Sequence, residues 1–433
     1  MSRLIHFVLL ILCAFPGTGI PAPANELDAL LGHYRHLHEN PELSLQERKT
    51  AAYLAEQLNA TGFEVTTGVG GHGLVAALRN GDGPVILFRA DMDALPVEEQ
   101  TGLPYSSTVR AIKTAGEDMP VMHACGHDIH MTVLLGIARQ MAADRDIWSG
   151  TLLLIAQPAE EIGAGARAML EDGLYERFPV PDYNLAFHVS PDLPAGQIGY
   201  VSGYALANVD SVDITVYGTS GHGAFPHKTK DPIVIAARIV LALQTIVSRE
   251  LSPLDNAVVT VGSIHGGTKH NIIPDTVALQ LTVRSYSDET RDFLLRRIRE
   301  ISQGIARSSG MSEYRLPRIS VRDEYTPAVY NDPDLLDRII PVLNSTLGGS
   351  SVTAVDPVMG GEDFARYGRT EEKIRGVLLW LGSVNAAQYQ ATQASGEALP
   401  GLHSSRFAPD AGPTIATGVR AMRAVLLDLF RGG

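Results

Sequence analysis

The chain has 433 residues, 45% of them hydrophobic, which is enough for two domains with full cores. A net charge of −13 and a pI near 5.5 exclude the basic face that a nucleic-acid partner needs. No run of like charges and no low-complexity tract occurs, so little of the chain should be disordered.

Residues 1–24 read as a secretory leader. Arg3 supplies the positive start, residues 4–15 the apolar segment, and Ala22-Pro23-Ala24 a small-residue cleavage site. Leu12 is too large for a lipoprotein anchor at Cys13. The expectation is export, to the periplasm or beyond, with a mature chain starting near Asn25. No later apolar run reaches membrane-spanning length. Removing the leader leaves Cys125 as the one remaining cysteine, which cannot form an internal disulfide. Metal ligation would account for it.

Helical spacing is expected over 26–36 and 47–58, the second closed by Gly62. Residues 85–88 form a short, wholly apolar run of the kind found in buried parallel strands. It leads into Asp91-Met92-Asp93. Met122-His123-Ala124-Cys125-Gly126-His127-Asp128 places a thiol and an imidazole two residues apart, both soft enough for Zn²⁺ or Mn²⁺. The same pair taken alone also reads as a buried cysteine beside a histidine. An apolar helix over 129–141 follows, then buried strands over 152–156 and 185–187. Those strands end in Glu160-Glu161 and His188, and a further strand is expected over 377–381. Strands alternating with helices predict a mostly parallel α/β sheet covered on both faces. Carboxylates and a histidine recurring at its strand ends stand where such sheets build their sites.

The pattern changes near Asp210. Residues 212–217 alternate, Asp231-Pro232 opens a long helix to about 249, and strands are expected over 257–264 and 276–286. A helix over 288–306 and a strand over 315–324 complete a β-α-β-β-α-β order, which matches a ferredoxin-like unit.

Together, Asp91-Met92-Asp93, Cys125-Gly126-His127-Asp128, Glu160-Glu161, His188 and Leu402-His403-Ser404 resemble the M20 metallopeptidase superfamily. The likeness is to its aminoacylase-like amidohydrolase branch, which includes hippurate hydrolases and indole-acetyl-amino-acid hydrolases, and it spans nearly the whole mature chain. It implies a phosphorylase/hydrolase-like catalytic domain over 25–206 and 328–433, with an inserted lid and dimerisation domain over 207–327. It also implies two divalent metal ions per subunit, drawn from Mn, Zn, Co or Ni. Their ligands would be Cys125, His127, Glu161, His188 and His403, with Cys125 bridging. A binuclear site needs about four to six N, O or S donors with room for water and substrate, which five residues satisfy.

The same resemblance makes Glu160 the general base acting on a metal-activated water, and Asp93 a residue that orients a ligand. Asp91, Asp128 and Glu362 are weaker candidates for supporting roles. Glu362 lies in Met359-Gly360-Gly361-Glu362-Asp363-Phe364, where Gly361 replaces the serine of many relatives. His123 reads as structural or supporting, and His130 as a hydrogen-bonded core histidine. In the lid, His222 would reach the partner subunit's site as an oxyanion donor. His227, Asn271 and Arg284 would face the substrate, Arg284 clamping its carboxylate.

The expected activity is hydrolysis of N-acyl-L-amino acids, hippurate-like or N-acetyl, by a homodimer. A carboxypeptidase or dipeptidase of the same superfamily is the alternative. A cysteine-nucleophile hydrolase built on Cys125 and His127 is a different class, and a secreted binding protein that has lost catalysis is a third. The partners expected are a small N-acyl amino acid or dipeptide, no nucleic acid, and no membrane beyond export.

Overall fold

The computed structural model describes residues 24–113, 116–323 and 325–432, and apart from Ala24 the expected leader lies outside them. Eight strands form the central sheet, in the order Glu64–Val69, Gly73–Asn80, Gly150–Gln157, Val85–Asp91, Tyr183–Pro194, Arg375–Val384, Ile198–Tyr200 and Val352–Ala354. The four strands from Gly150–Gln157 to Arg375–Val384 run parallel, and antiparallel strands extend the sheet on either side. It is a mostly parallel α/β sheet, as expected.

The apolar runs of the parallel strands divide between two cores. Ile86, Phe88, Leu152 and Leu154 face one core with helices Ala24–Glu39, His127–Ala143 and Ala411–Arg431. Leu87, Leu153 and Ile155 face a second with helix Gly165–Glu171 and the turn Asp363–Gly368. Burial on both faces is why these strands show no alternation in the sequence. Each such side chain contributes about 1.5–3 kcal/mol relative to exposure.

The central strands run further than their apolar runs. Val85–Asp91 continues through Arg89 and Asp91, both wholly buried, because each finds its partners inside. Pairing of Asp91 with Gln157 levels two strand ends, and Gly126 then turns the chain into helix His127–Ala143. Gly126 has φ +76°, and a Cβ there would lie 2.5 Å from Val189 Cγ2. Glycine is what lets Cys125 and His127 flank so tight a turn.

Residues 208–321 build a second sheet, ordered Ala257–Gly266, Thr276–Ser285, Asn208–Tyr217 and Arg318–Val321, antiparallel throughout. Helices Pro232–Thr245 and Asp288–Ser308 cover one face, with a core of their own drawn from residues between Val212 and Met311. Asp231 caps the first helix by accepting from the Ile233 amide, with Pro232 in the first turn. The strand expected over 315–324 is only four residues long, because Glu313–Arg315 forms a 3₁₀ turn and Pro317 lacks a ladder donor.

Against the expectation from sequence, one helix among the described residues, Pro232–Glu250, is long and apolar enough to cross a membrane. Ile235, Ala236, Ile239 and Leu243 on it pack into the sheet core, which accounts for part of that apolarity. The two connections between the units run side by side as an antiparallel ribbon, Gly203–Leu206 with Val329–Asn331.

Candidate metal centre

Two histidines present free nitrogens to one thiol. The Nδ1–H of His127 donates to the Asp93 carbonyl at 2.7 Å, leaving Nε2 buried without a hydrogen-bond partner. The Nδ1–H of His188 donates to the Val189 carbonyl at 2.9 Å, and its Nε2 lies 3.5 Å from Cys125 Sγ. Pinning Nδ1 on a carbonyl fixes the tautomer whose Nε2 lone pair binds a cation.

Donor atoms of Cys125, His127 and His188 lie within 4.8 Å of one another, and so do those of Cys125, Glu161 and His403. Cys125 belongs to both groups, as a bridging ligand would. Glu161 Oε1 is buried without a partner, and its Oε2 is 3.4 Å from His403 Nε2. His403 adopts φ +64° and donates its backbone N–H to the Ala124 carbonyl, which ties its loop to the cysteine loop. These five residues fit a pair of divalent cations: the donors are mixed S, N and O, and two of their buried polar atoms have no other partner.

Two other clusters are already satisfied from within. His130 Nδ1–H donates to Asp91 at 2.6 Å while its Nε2 accepts the Val189 amide, so neither nitrogen is free and it is the core histidine expected. Glu362 and Asp91 are held by Arg89, which is wholly buried. Arg89 donates to Glu362 through both Nη atoms, to Asp91 at 2.6 Å, to Asp363, and through Nε to Gln157. Asp91 also keeps Oδ2 3.6 Å from His127 Nε2, so it faces a candidate ligand as well as a buried arginine that sequence reading passed over, whereas Glu362 pairs with that arginine.

Asp93 orients His127 through its main-chain carbonyl. Its carboxylate lies 3.5 Å from Nδ1 but is committed elsewhere. Oδ1 accepts the Glu160 amide at 3.1 Å, and Oδ2 accepts the Glu161 amide at 3.0 Å and the Ser44 hydroxyl at 2.6 Å. The preceding amide, Ala159, donates to Glu47 Oε1 at 2.7 Å. Ala159 has φ +51°, a left-handed turn just before the two glutamates. Glu160 and Glu161 each place a carboxylate oxygen 3.9 Å from His127 Nε2.

In the sequence Glu47 reads only as the start of the helical pattern over 47–58. Its side chain turns inward instead and caps nothing. Burial, then the charge of Asp93, raise its carboxyl to about 7.

Burial is also the main cause at Glu160, reinforced by Glu362 and Glu161, and it holds that carboxyl well above the usual range. At His127 burial opposes positive charge, but Asp91 and Asp93 outweigh it and raise the imidazole to about 10, a demand for positive charge that a bound cation would meet in place of the proton. Burial lowers His188 to about 3 and raises the Cys125 thiol. A thiolate–imidazolium nucleophile pair is therefore disfavoured. The nitrogen beside the thiol is moreover that of His188, not His127.

Behind the loop, His38 bridges Asp128 at 2.6 Å and Glu99 at 3.2 Å. Burial opposes its charge, yet these carboxylates raise it to about 10. Asp128 thus anchors the first turn of the helix and contacts none of the metal-binding donors. His123 is buried with neither ring nitrogen bonded, and burial lowers it to about 4.

The candidate residues of the second sheet stand apart from this cluster. His222 is exposed and pairs with Ile272 in a short ladder, with the Gly223 amide donating to the Asn271 carbonyl at 2.8 Å. His227 is exposed in a 3₁₀ turn next to it. Among the described residues no hydrogen bond or ring contact joins either histidine to the metal donors. Arg284 is half-buried and donates to the Met359 carbonyl at 2.5 Å, so one arm is engaged by the chain itself.

A thiol shared by two histidine and carboxylate groups, with a buried glutamate beside it, defines a metal-dependent hydrolase. The sequence matches Peptidase family M20/M25/M40 over residues 87–397. It is 37% identical over 399 residues to the N-acetyldiaminopimelate deacetylase of Leuconostoc mesenteroides subsp. mesenteroides, covering 88% of this chain and 96% of that one. It is 37% identical over 380 residues to thermostable carboxypeptidase 2 of Saccharolobus solfataricus, covering 87% and 89%. Among solved structures, the Bacillus subtilis YXEP protein, a dinuclear metal-binding peptidase of family M20, aligns with a TM-score of 0.74 at 31% identity, over 94% of this chain and 100% of that one. The chain belongs to peptidase family M20.

If Glu47 holds the turn that presents Glu160, Glu47→Leu should lower kcat about 10²-fold, the scale of an ångström-level misplacement. Glu47→Gln keeps an acceptor for the Ala159 amide and should stay within about tenfold of wild type. Steady-state kinetics at full metal loading checks this. A leucine variant as active as the glutamine variant would show that Glu47 does not hold the turn.

Proposed function

We propose that this chain hydrolyses the amide bond of N-acyl-L-amino acids, N-acetyl and hippurate-like conjugates among them, with Glu160 as general base. The observation that carries the reading is the buried Glu160 carboxylate, 3.9 Å from the free Nε2 of His127, at the edge of a donor set whose two groups share Cys125. Two divalent cations held by Cys125, His127, Glu161, His188 and His403 would supply Lewis acidity and acidify the attacking water. Glu160 takes the water's proton as the oxygen attacks the acyl carbon. It then passes the proton to the amine nitrogen as the C–N bond breaks, giving a carboxylic acid and a free amino acid. A carboxyl held above its usual range by burial suits a group that must carry the proton between those events.

Arg284 is assigned to the substrate carboxylate, keeping donors beyond the one given to Met359, and Asn271 to a place beside the substrate, where its buried, unpartnered Oδ1 can accept from an N–H such as that of the amide. His227 is assigned a supporting contact there. The deacetylase relative favours the N-acyl reading. The carboxypeptidase relative favours a second reading, cleavage of a peptide by the same machinery. A panel of N-acetyl and N-benzoyl amino acids against dipeptides decides between them.

Elemental analysis should find about two divalent metals per chain, lost in Cys125→Ala, His127→Ala and Glu161→Gln. Glu160→Gln should keep the metals and lose at least about 10²-fold in kcat. Full metal content in the folded Cys125 and His127 variants would overturn the ligand assignment. Metal loss in Glu160→Gln alone would show the two glutamates exchanged.

A homodimer is proposed in which His222 completes the partner's site as an oxyanion donor. Its loop is exposed, with Phe225 and Ile272 half-exposed beside it, and Ala257–Gly266 is a ten-residue edge strand with Ile264 exposed. Such an edge can pair with its symmetry mate. His222→Ala should cost on the order of 10²–10³ in turnover with metal content intact. Mixing it with inactive Glu160→Gln should restore partial activity, since one site of a heterodimer would hold both groups. A mixture that stays inactive after confirmed subunit exchange rules out the shared site.

Export is proposed from the leader-like residues 1–24. Mass spectrometry of protein from the producing cell should find a mature chain starting near Asn25. An intact N-terminus on cytoplasmic protein would exclude it.

A further inference from the structure

Three large aliphatic side chains stand in solvent beside the candidate metal centre. Leu45 is 60% exposed, Ile112 65% and Ile162 46%. They come from segments that meet around one oxygen. Asp93 Oδ2 accepts the Ser44 hydroxyl at 2.6 Å, one residue before Leu45, and the Glu161 amide at 3.0 Å, one residue before Ile162. Gln46 Nε2 donates to the Ile112 carbonyl at 3.0 Å, which ties the third segment to the first. Ile162 directly follows a candidate ligand, Glu161.

The exposure is fixed by the surroundings. Leu43 is bridged to Ala94 and packs with Ala94 and Val121 in a small core, against which Val109 and Ala111 also lie. That core holds both the segment carrying Leu45 and the hairpin carrying Ile112. On the hairpin, Arg110 and Asp118 are spent on each other at 2.8 Å. Extended backbone would put Leu45 on the same side as Leu43. Leu45 instead takes φ +67°, a left-handed turn that leucine rarely adopts, and stays in solvent while Leu43 is buried. Such backbone persists only where neighbours fix it, and it clusters at functional sites. Single exposed aliphatic residues need no explanation, whereas several brought together beside a site mark a contact surface.

We propose that Leu45, Ile112 and Ile162 form the seat of the substrate's acyl group, and that the chain therefore favours N-acyl amino acids with an aliphatic acyl chain longer than acetyl, such as hexanoyl. This deepens the proposed reaction and rests on it. Arg284, on the second sheet, is assigned the substrate carboxylate, which leaves the acyl end to the first unit. Asp93 orders Glu160 and Glu161 through their amides, so the acyl carbon, placed for attack by the water that Glu160 deprotonates, lies next to the segment of Ile162. From there the acyl chain runs over Ile162 and Leu45, with Ile112 beyond. Acetyl offers this surface a single methyl group, whereas each further methylene of a longer chain removes apolar area from water on both sides of the contact.

Isothermal titration of the metal-loaded full chain with acetate and hexanoate, the acids such substrates release, reads the seat without turnover. Hexanoate should bind at least about tenfold more tightly than acetate. In Leu45→Asn/Ile162→Asn that gap should close, because asparagine tolerates the left-handed turn and removes the apolar surface. Leu45→Met/Ile162→Leu, which keeps the surface apolar, should retain it. The ratio of kcat/KM for N-hexanoyl-L-alanine to that for N-acetyl-L-alanine should fall along with the gap. Three outcomes would overturn the proposal: equal binding of the two acids; a gap untouched in the asparagine variant, which places the acyl chain elsewhere; or conversion of a dimer to a monomer in that variant, which shows a second copy covering these residues. A chain that cleaves neither amide, yet shows the gap and its loss, would sink the proposed reaction and leave the seat standing.

Discussion

Asp93 divides its three oxygens among three segments that are far apart in the chain. Its carbonyl takes the Nδ1 proton of His127, while its carboxylate takes the amides of Glu160 and Glu161 and the hydroxyl of Ser44. The free nitrogen of His127 and both glutamates are therefore positioned by one residue just beyond one central strand. Glu47 completes the arrangement by holding the Ala159 amide. Left-handed backbone at a non-glycine residue costs about 1–3 kcal/mol and persists only where neighbours fix it. Here two buried carboxylates do so, and both adjacent glutamates reach the neighbourhood of His127 Nε2.

Beneath this layer, a single buried guanidinium faces Asp91, Glu362 and Asp363. Removing one partner from such a group is expected to destabilise by about 3–5 kcal/mol, although the assembly gains little over a well-packed apolar core. Its evident contribution is position. It joins strand Val85–Asp91 to the loop at 362–363, which follows the second unit in the chain, and so holds the two halves of the first unit in register below the candidate metal centre. Asp91 also fixes His130, whose other nitrogen receives the Val189 amide beside His188.

The two sheets have separate cores and are joined by a two-stranded ribbon. Arg284 reaches from the second sheet to the Met359 carbonyl, next to the loop that supplies Glu362. Residues proposed to face substrate thus sit with the second sheet and the candidate metal donors with the first. Any movement about the ribbon changes the space between them.

The sequence by itself determined what depends on local pattern. The apolar runs marked the parallel strands, Asp231-Pro232 marked a helix start, and acidic and histidine residues after those runs marked the donor set, because side chains following a buried strand emerge at its carboxyl end. The order of Cys125, His127, Glu161, His188 and His403 already carried the family likeness. Only the tertiary structure decided which nitrogen of each histidine remains free, since that depends on carbonyls and amides brought from elsewhere. It likewise turned Glu47 inward from a helix start, gave Glu362 to Arg89, and set Asp91 between Arg89 and His127. Those assignments rest on contacts between residues as far apart as 89 and 362, and no local spacing encodes them.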